Sequence, residues 1–432
     1  MQMAMPFKSL WLAVLGLLLG CSLSAQDLAG NWQGTIQPGN QPLRLIVKIT
    51  RVDLGVFKGA IYSIDQGNDW GAGTPITSIT QQGAHVKLVI EPLRGTFEGT
   101  VSSDGSTIDG TWTQRQAVPL LLRRATSETA WKDPAAHAMQ FVDVDKNVKL
   151  EVLDFGGSGR PLVFLAGLGN TAHVFDTFAA KFTTAHHVYA ITRRGYGDSS
   201  TPPDGYGADR LGDDVLAVLD RLKLDRPVLA GHSIAGQELS SIASRHPERV
   251  AGLIYLDAGY PYAFYNAERG DAFLDVLEVR RKLDQMVNGP IDTRPLIKEL
   301  LIDLPRLEKN LAARQKELDG MPPAMLAAAQ TQPPVPRAIM AGAQKYTNLS
   351  NVPILAIYAL PHDLGPLGIT DPAASAAREA QDIETTGVQA AAFEKGVPSA
   401  HVVRLPHANH YLFRSNEADV IREMNAFLAE LK

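Results

Sequence analysis

The chain has 432 residues, 45% of them hydrophobic and 20% charged, and a formal net charge of −5. Such a length allows roughly two or three domains, and so mild a charge excludes the basic footprint of a nucleic-acid binder. Cys21 is the only cysteine, which rules out an internal disulfide and any cysteine-built metal site or nucleophile downstream.

The N-terminus reads as an export signal. Lys8 precedes the apolar stretch Leu10–Leu19, which is too short to span a bilayer comfortably, and small residues follow over Cys21-Ser-Leu-Ser-Ala25. Cleavage after Ala25 would leave Gln26 first and an exported, periplasmic or extracellular protein. Leu18-Leu-Gly-Cys21 also resembles a bacterial lipobox, which would anchor the chain to a membrane through a lipid on Cys21.

Residues 26–125 predict an all-β domain. Short alternating runs recur at Leu43–Ile49, Val86–Ile90 and Leu120–Arg123, with Asp104-Gly105 as a hairpin-type turn. Leu28-Ala-Gly-Asn-Trp-Gln-Gly34 and Ile108-Asp-Gly-Thr-Trp-Thr113 echo each other, each setting a Trp behind a Gly. The pattern predicts a small antiparallel meander or barrel closed by Trp32 and Trp112, filled by side chains rather than hollow. Residues 126–140, with Pro134 and a docking contact at Trp131, predict a linker.

From residue 141 the pattern becomes α/β. Phe141–Val144 and Val148–Leu153 predict an opening hairpin. Buried strands are expected at 161–165, 187–191, 250–256, 352–358 and 401–405. Helices are expected over 173–182, 211–222 and 417–431. Such alternation implies a mostly parallel, doubly wound sheet with helices on both faces. Between residues 260 and 349 it breaks into a Leu-, Ala- and Pro-rich helical stretch, read as an inserted cap.

One turn carries most of the chemistry. In Arg226-Pro-Val-Leu-Ala-Gly-His-Ser-Ile-Ala-Gly236 an apolar strand stops at Gly231, Ser233 follows, and a helix begins behind it. A strand–turn–helix of this kind lifts a hydroxyl above the sheet, as in the G-x-S-x-G nucleophile elbow. Ala235 stands where the second Gly is usual, but it is still small.

From residue 141 onward the chain resembles the α/β-hydrolase superfamily, and the motifs come in order. Pro161–Gly169 is similar to the strand and oxyanion loop, with Ala166 in place of a usual His. Arg193-Arg-Gly-Tyr-Gly-Asp-Ser-Ser200 is similar to the family's R-G-x-G-x-S turn. Gly231-His-Ser233 is the elbow, Val352–Asp363 the strand leading to an acid, and Leu405-Pro-His-Ala-Asn-His-Tyr411 the histidine loop, with Asn409 in place of Gly. The N-terminal part resembles the lipocalin-like β-module that precedes hydrolases in some exported bacterial proteins.

The resemblance implies roles. Ser233 is the nucleophile and His410, chosen over His407 and His401, the base that activates it. Asp363 is the expected acid, since the family most often keeps it after the penultimate strand. Asp257, ending the preceding strand, is the alternative. Backbone N–H groups of Leu168 and Ile234 form the oxyanion hole, where one donor is worth about 3 kcal/mol. His232 packs or bonds a loop. Tyr260, Tyr262 and Phe264 line a substrate pocket beneath the cap.

The expected activity is therefore an exported serine hydrolase acting on a small molecule with an acyl bond, a carboxylic ester by default. A peptide, amide or C–C bond can use the same residues. A serine nucleophile argues against haloalkane dehalogenase and epoxide hydrolase chemistry, where resembling families use Asp. No metal or organic cofactor is implied, because there is no H-E-x-x-H and no P-loop. A competing class is an NADP-dependent oxidoreductase, since Gly167-Leu-Gly-Asn-Thr-Ala172 fits G-x-G-x-x-A and Arg193-Arg194 follows. A non-catalytic binding protein on the same scaffold is the third.

Overall fold

A computed structural model describes residues 27–37, 43–53, 56–63, 73–114, 116–131, 137–289, 292–319, 334–349, 352–363 and 371–431. The expected signal, Cys21 and Pro134 lie outside the described residues.

The N-terminal strands are β1 (Gly30–Ile36), β2 (Leu43–Asp53), β3 (Val56–Ser63), β4 (Thr74–Pro75), β5 (Ser78–Gln82), β6 (His85–Ile90), β7 (Gly95–Val101), β8 (Thr107–Thr113) and β9 (Ala117–Arg124). They form one antiparallel sheet in the order β4-β3-β2-β1-β9-β8-β7-β6-β5. The sheet curls until its edges are bridged by a single segment: Ile76 N–H donates to Gly59 O at 2.8 Å, and Thr77 N–H donates to Val89 O at 2.7 Å. Trp32, Val47, Leu88, Phe97, Trp112 and Leu120 are buried inside, so side chains fill the interior. The period-2 alternation seen in the sequence is what aims them there.

The second sheet comprises β10 (Ala138–Asp145), β11 (Val148–Gly156), β12 (Leu162–Leu165), β13 (Val188–Ile191), β14 (Val228–His232), β15 (Gly252–Leu256), β16 (Ile354–Ala359) and β17 (Ala400–Leu405). Their order is β10-β11-β13-β12-β14-β15-β16-β17. β10 and β11 form the antiparallel entry hairpin, and from β13 to β17 the neighbours run parallel.

Residues of β12, β13, β15 and β16 are buried on both sides, which is why they read as unbroken apolar runs, whereas β17, expected to be buried, is the edge strand and only Leu405 in it is fully buried. Val163, Leu165, Leu253 and Tyr255 face one layer, with Leu219 and Leu239. Leu162, Phe164, Ile254 and Leu256 face the other, with Phe178, Phe413 and Met424. The first layer uses the helices Ala208–Arg221, Gly236–Arg245 and Pro372–Gly396. The second uses the closing helix Glu417–Glu430.

The helical segments depart from expectation in two places. Residues 173–182 are not one helix but three short turns, Ala172–Phe175, Asp176–Ala179 and Ala180–Phe182. So short a helix is marginal without packing, and here the tilted and edge-on packing of Phe175, Phe178 and Phe182 against Phe164 sets the path instead. The other departure is the helix Pro372–Gly396, which the strand-and-helix reading passes over. Its start is encoded: Asp371 accepts hydrogen bonds from the N–H groups of Ala373 and Ala374, and Pro372 opens the helix.

Successive connections from β12 leave in opposite directions, to β13 on one side and β14 on the other. A crevice opens at such a switch point beyond the carboxyl ends of the strands. The helices Ala272–Asn288, Arg294–Asp319 and Pro334–Ala341 lie between β15 and β16.

Candidate active site

The loop after β14 brings Ser233 to this crevice. Ser233 holds φ of 53°, the left-handed region, at a cost of order 1–3 kcal/mol that the surrounding packing must hold in place. Small neighbours let the turn close. A Cβ on Gly236 would sit 2.1 Å from Ala258 O, so glycine is required there, one place later than the usual motif. Ala235 is itself buried without conflict. The oxyanion-type loop lies against the turn, since a Cβ on Gly167 would come within 3.2 Å of Ser233 Cβ. Leu168 and Ile234 meet in one apolar cluster there.

From Ser233 a hydrogen-bonded path runs inward. His410 Nε2 is 3.0 Å from Ser233 Oγ, and His410 Nδ1 is 2.6 Å from Asp257 Oδ2. Asp257, fully buried, leaves β15 with φ of 46°. The expectation of Asp363 as the partner is corrected. Beyond β16 the chain continues extended, bridging His362 to Ala408, so adjacent side chains point to opposite sides. His362 faces Asp257, while Asp363 is exposed and uses its backbone N–H to donate to Ala408 O at 2.8 Å.

Asp257 gathers four donors. Oδ2 also accepts from His362 Nε2 at 2.9 Å and Tyr260 OH at 3.0 Å, and Oδ1 accepts from Ala359 N–H at 3.1 Å. Burial alone would raise its pKa, but the bonds from His362 and His410 outweigh that and hold the carboxyl well below the usual range. His362 also meets Asp382, on the helix Pro372–Gly396, with Nδ1 at 3.0 Å from both carboxylate oxygens. Burial pushes the His362 pKa down, yet bonds to Asp257 and Asp382 raise it to about 9, so the ring is a cation at neutral pH. Contacts of 2.6–3.0 Å in this group are those of charge-assisted hydrogen bonds, so the close approach of Asp257, His362 and His410 is accounted for without an ion.

Several supports were not legible beforehand. Arg193 is buried, pairs with Glu238, and donates to Ala166 O at 2.7 Å. It braces the oxyanion-type loop from below, so the loop does not depend on a His at position 166. Asn409 Oδ1 accepts from Tyr411 N–H at 3.1 Å, which stiffens the histidine loop where Gly is usual. Tyr411 OH donates to Asn170 Oδ1 at 3.1 Å and ties the two loops together. His232 Nε2 donates to His410 O at 3.0 Å; burial pushes its pKa down to about 3, so it stays neutral and holds the loop, as read from the sequence.

The aromatic cluster divides. Tyr260 bonds Asp257, and the half-buried Tyr262 places its hydroxyl beside Ser233. Phe264 does not line the site: it is buried against Phe393 in the core, 5.6 Å between ring centres, which corrects its assignment to the pocket. The dinucleotide reading also loses its arginines, because Arg193 is paired to Glu238 and Arg194 donates two 2.6 Å bonds to Asp214.

Breaking the brace should be costly. Arg193→Met leaves Glu238 buried without a counter-charge, and about 3–5 kcal/mol of unfolding free energy should be lost in denaturant titration. Arg193→Met/Glu238→Leu should be less destabilised than the single change. A single-variant loss below about 1 kcal/mol would remove the brace from the account.

The comparisons with known proteins bear on the same region. A model described as the alpha/beta hydrolase family matches residues 162–423. The chain is 36% identical over 103 residues to a putative non-heme haloperoxidase of Mycobacterium phage D29, covering 24% of this chain and 37% of that protein. It is 35% identical over 105 residues to 3-oxoadipate enol-lactonase 2 of Acinetobacter baylyi, covering 24% and 39%. The chain spans roughly two fifths to one half of the length of the curated relatives it matches. Among solved structures, a thermophilic esterase from Thermogutta terrifontis is similar at 20% identity and a TM-score of 0.42, over 68% of this chain and 98% of that one. Because the family model takes in more than half of the sequence, the chain belongs to the alpha/beta hydrolase family.

Proposed function

We propose that this protein is a serine hydrolase that cleaves an acyl bond, with carboxylic esters as its substrate class. The observation that carries the reading is the unbroken path from Ser233 Oγ through His410 to Asp257, at 3.0 and 2.6 Å. Ser233 Oγ attacks the carbonyl carbon while His410 Nε2 takes its proton. Asp257 holds the Nδ1–H and offsets the charge of the imidazolium that forms. The N–H groups of Leu168 and Ile234 receive the oxyanion. His410 then protonates the leaving alcohol, the acyl group remains on Ser233, and water activated by His410 releases the acid. The name of one relative, an enol-lactonase, fits an ester-type bond.

Export belongs to the same proposal, on the strength of Lys8, the Leu10–Leu19 stretch and the small residues after it. So does lipidation of Cys21 as the alternative to cleavage after Ala25. The curled β-sheet, similar in pattern to a lipocalin-like module, acts as a spacing and folding unit, a reading supported by its filled interior.

Nitrophenyl esters of rising acyl length test the central step. Ser233→Ala should lower kcat by at least about 10⁴-fold. Unchanged ester turnover would sink the mechanism, and turnover of anilides without esters would favour an amidase instead.

The cationic His362 predicts a pH effect. Its ring lies beside Asp257 and meets Asp382 on the other side. Asp382→Asn removes one of the two carboxylates that raise the His362 pKa, so the ring should lose its second proton at lower pH than in the parent, as read by ring-proton NMR. A titration midpoint that stays put, or moves up, contradicts this. The contribution of His362 to stability is complete below pH 6.5, its ordinary pKa, and is lost as pH rises through about 9.

A further inference from the structure

A second buried group of histidines and carboxylates lies outside the path just described. His137 immediately precedes β10. His173 and Asp176 belong to the turns that follow the Gly167–Thr171 loop, and Glu151 sits on β11. All four side chains are largely withdrawn from solvent, at 7%, 4%, 13% and 1% exposure in that order. One nitrogen from each histidine and a carboxylate oxygen of Asp176 lie within 4.8 Å of one another.

The distances are longer than those at Asp257. His137 Nε2 is 3.5 Å from Asp176 Oδ1, His173 Nδ1 is 3.2 Å from Asp176 Oδ2, and His173 Nε2 is 3.4 Å from Glu151 Oε1. Charge-assisted hydrogen bonds close to about 2.7–2.9 Å. Asp176 Oδ1 is buried and accepts no hydrogen bond. By contrast, ligand atoms about 2.0–2.1 Å from a tetrahedral zinc ion stand roughly 3.3 Å apart. The 3.2 and 3.5 Å separations, to Oδ2 and Oδ1 of Asp176 respectively, are close to that edge length.

We infer that His137, His173 and Asp176 form a binding site for a divalent transition metal of the zinc type. Two imidazoles and one carboxylate suit zinc, cobalt or nickel better than calcium or magnesium, which prefer oxygen-only sets. Glu151 completes the arrangement from outside. It faces His173 Nε2, so that Nδ1 can present its lone pair to the ion, and Glu151 Oε2 is itself fixed by the Thr192 hydroxyl at 2.6 Å. This is the carboxylate–histidine–metal relay that orients ligands in metal sites. His173 and Asp176 stand three residues apart and His137 comes from a separate segment before β10, so the full set of ligands shares no short motif. Bound there, the ion would pin the end of the 126–140 segment to the turns behind the Gly167–Thr171 loop. Its role would be structural, apart from the acyl chemistry.

The full chain, stripped with a chelator, is titrated with Co²⁺ and separately loaded with Zn²⁺, then desalted and assayed for metal by mass spectrometry. The inference expects one ion per chain, tetrahedral-type cobalt absorption bands, and a rise in unfolding temperature of order 4 °C with Zn²⁺ in excess. His137→Gln and Asp176→Asn should each lower retained metal at least about tenfold. His137→Gln should still react with a fluorophosphonate, showing that it is folded. Absence of metal from the wild-type chain after loading would overturn the site, as would metal retained equally by both variants. A doubly protonated His173 in nitrogen NMR at saturating Zn²⁺ would also overturn it, since that ring would then be a plain ion-pair partner of Asp176 and Glu151.

Discussion

A single buried carboxylate organises this molecule's candidate site. Asp257 lies at the end of β15 with no solvent contact, and four donors converge on its two oxygens. An isolated carboxylate there would cost many kcal/mol. The cost is met by drawing together β15, the backbone at the end of β16, the histidine loop after β17, and the start of the segment that leads into the inserted helices. Each donor that stabilises the charge is thereby placed in register with the others. His410 gains its orientation from that requirement, and Ser233 gains a base in reach.

The supporting framework follows the same logic of compensated charge. Arg193 and Glu238 neutralise each other beneath the oxyanion-type loop, and Arg193 reaches past its partner to the Ala166 carbonyl. His362 is a cation because Asp257 and Asp382 enclose it. The Asp382–His362–Asp257–His410 chain extends the site outward to the helix Pro372–Gly396, so that this helix takes part in holding the carboxylate that orients His410. Two non-glycine residues, Ser233 and Asp257, sit at positive φ within one hydrogen-bonded path. Such positive-φ residues also occur in turns elsewhere, at Arg94, Asn147, Lys223 and Arg226, but these two aim side chains into the site.

Much of this was readable from sequence for physical reasons. The parallel strands announce themselves as apolar runs because both faces are covered, and the turn around Ser233 by its small residues between strand and helix. The β-sheet at the N-terminus shows in its alternation. What failed is equally instructive. Asp363 and His362 are adjacent, and an extended chain sends them opposite ways; sequence cannot tell which side faces Asp257. Phe264 and Tyr262 share a short aromatic cluster, but only the three-dimensional path separates core from site. Asp382 lies midway along an Ala-rich helix with no local motif, although the start of that helix is encoded by Asp371-Pro372.

The most direct test of the account compares two conservative variants by steady-state kinetics on one activated ester. Asp257→Asn should depress kcat by roughly 10⁴-fold while Asp363→Asn stays within about threefold of the parent. The reverse order, with Asp363→Asn crippled and Asp257→Asn active, would contradict the central claim that the buried carboxylate of β15 orients His410.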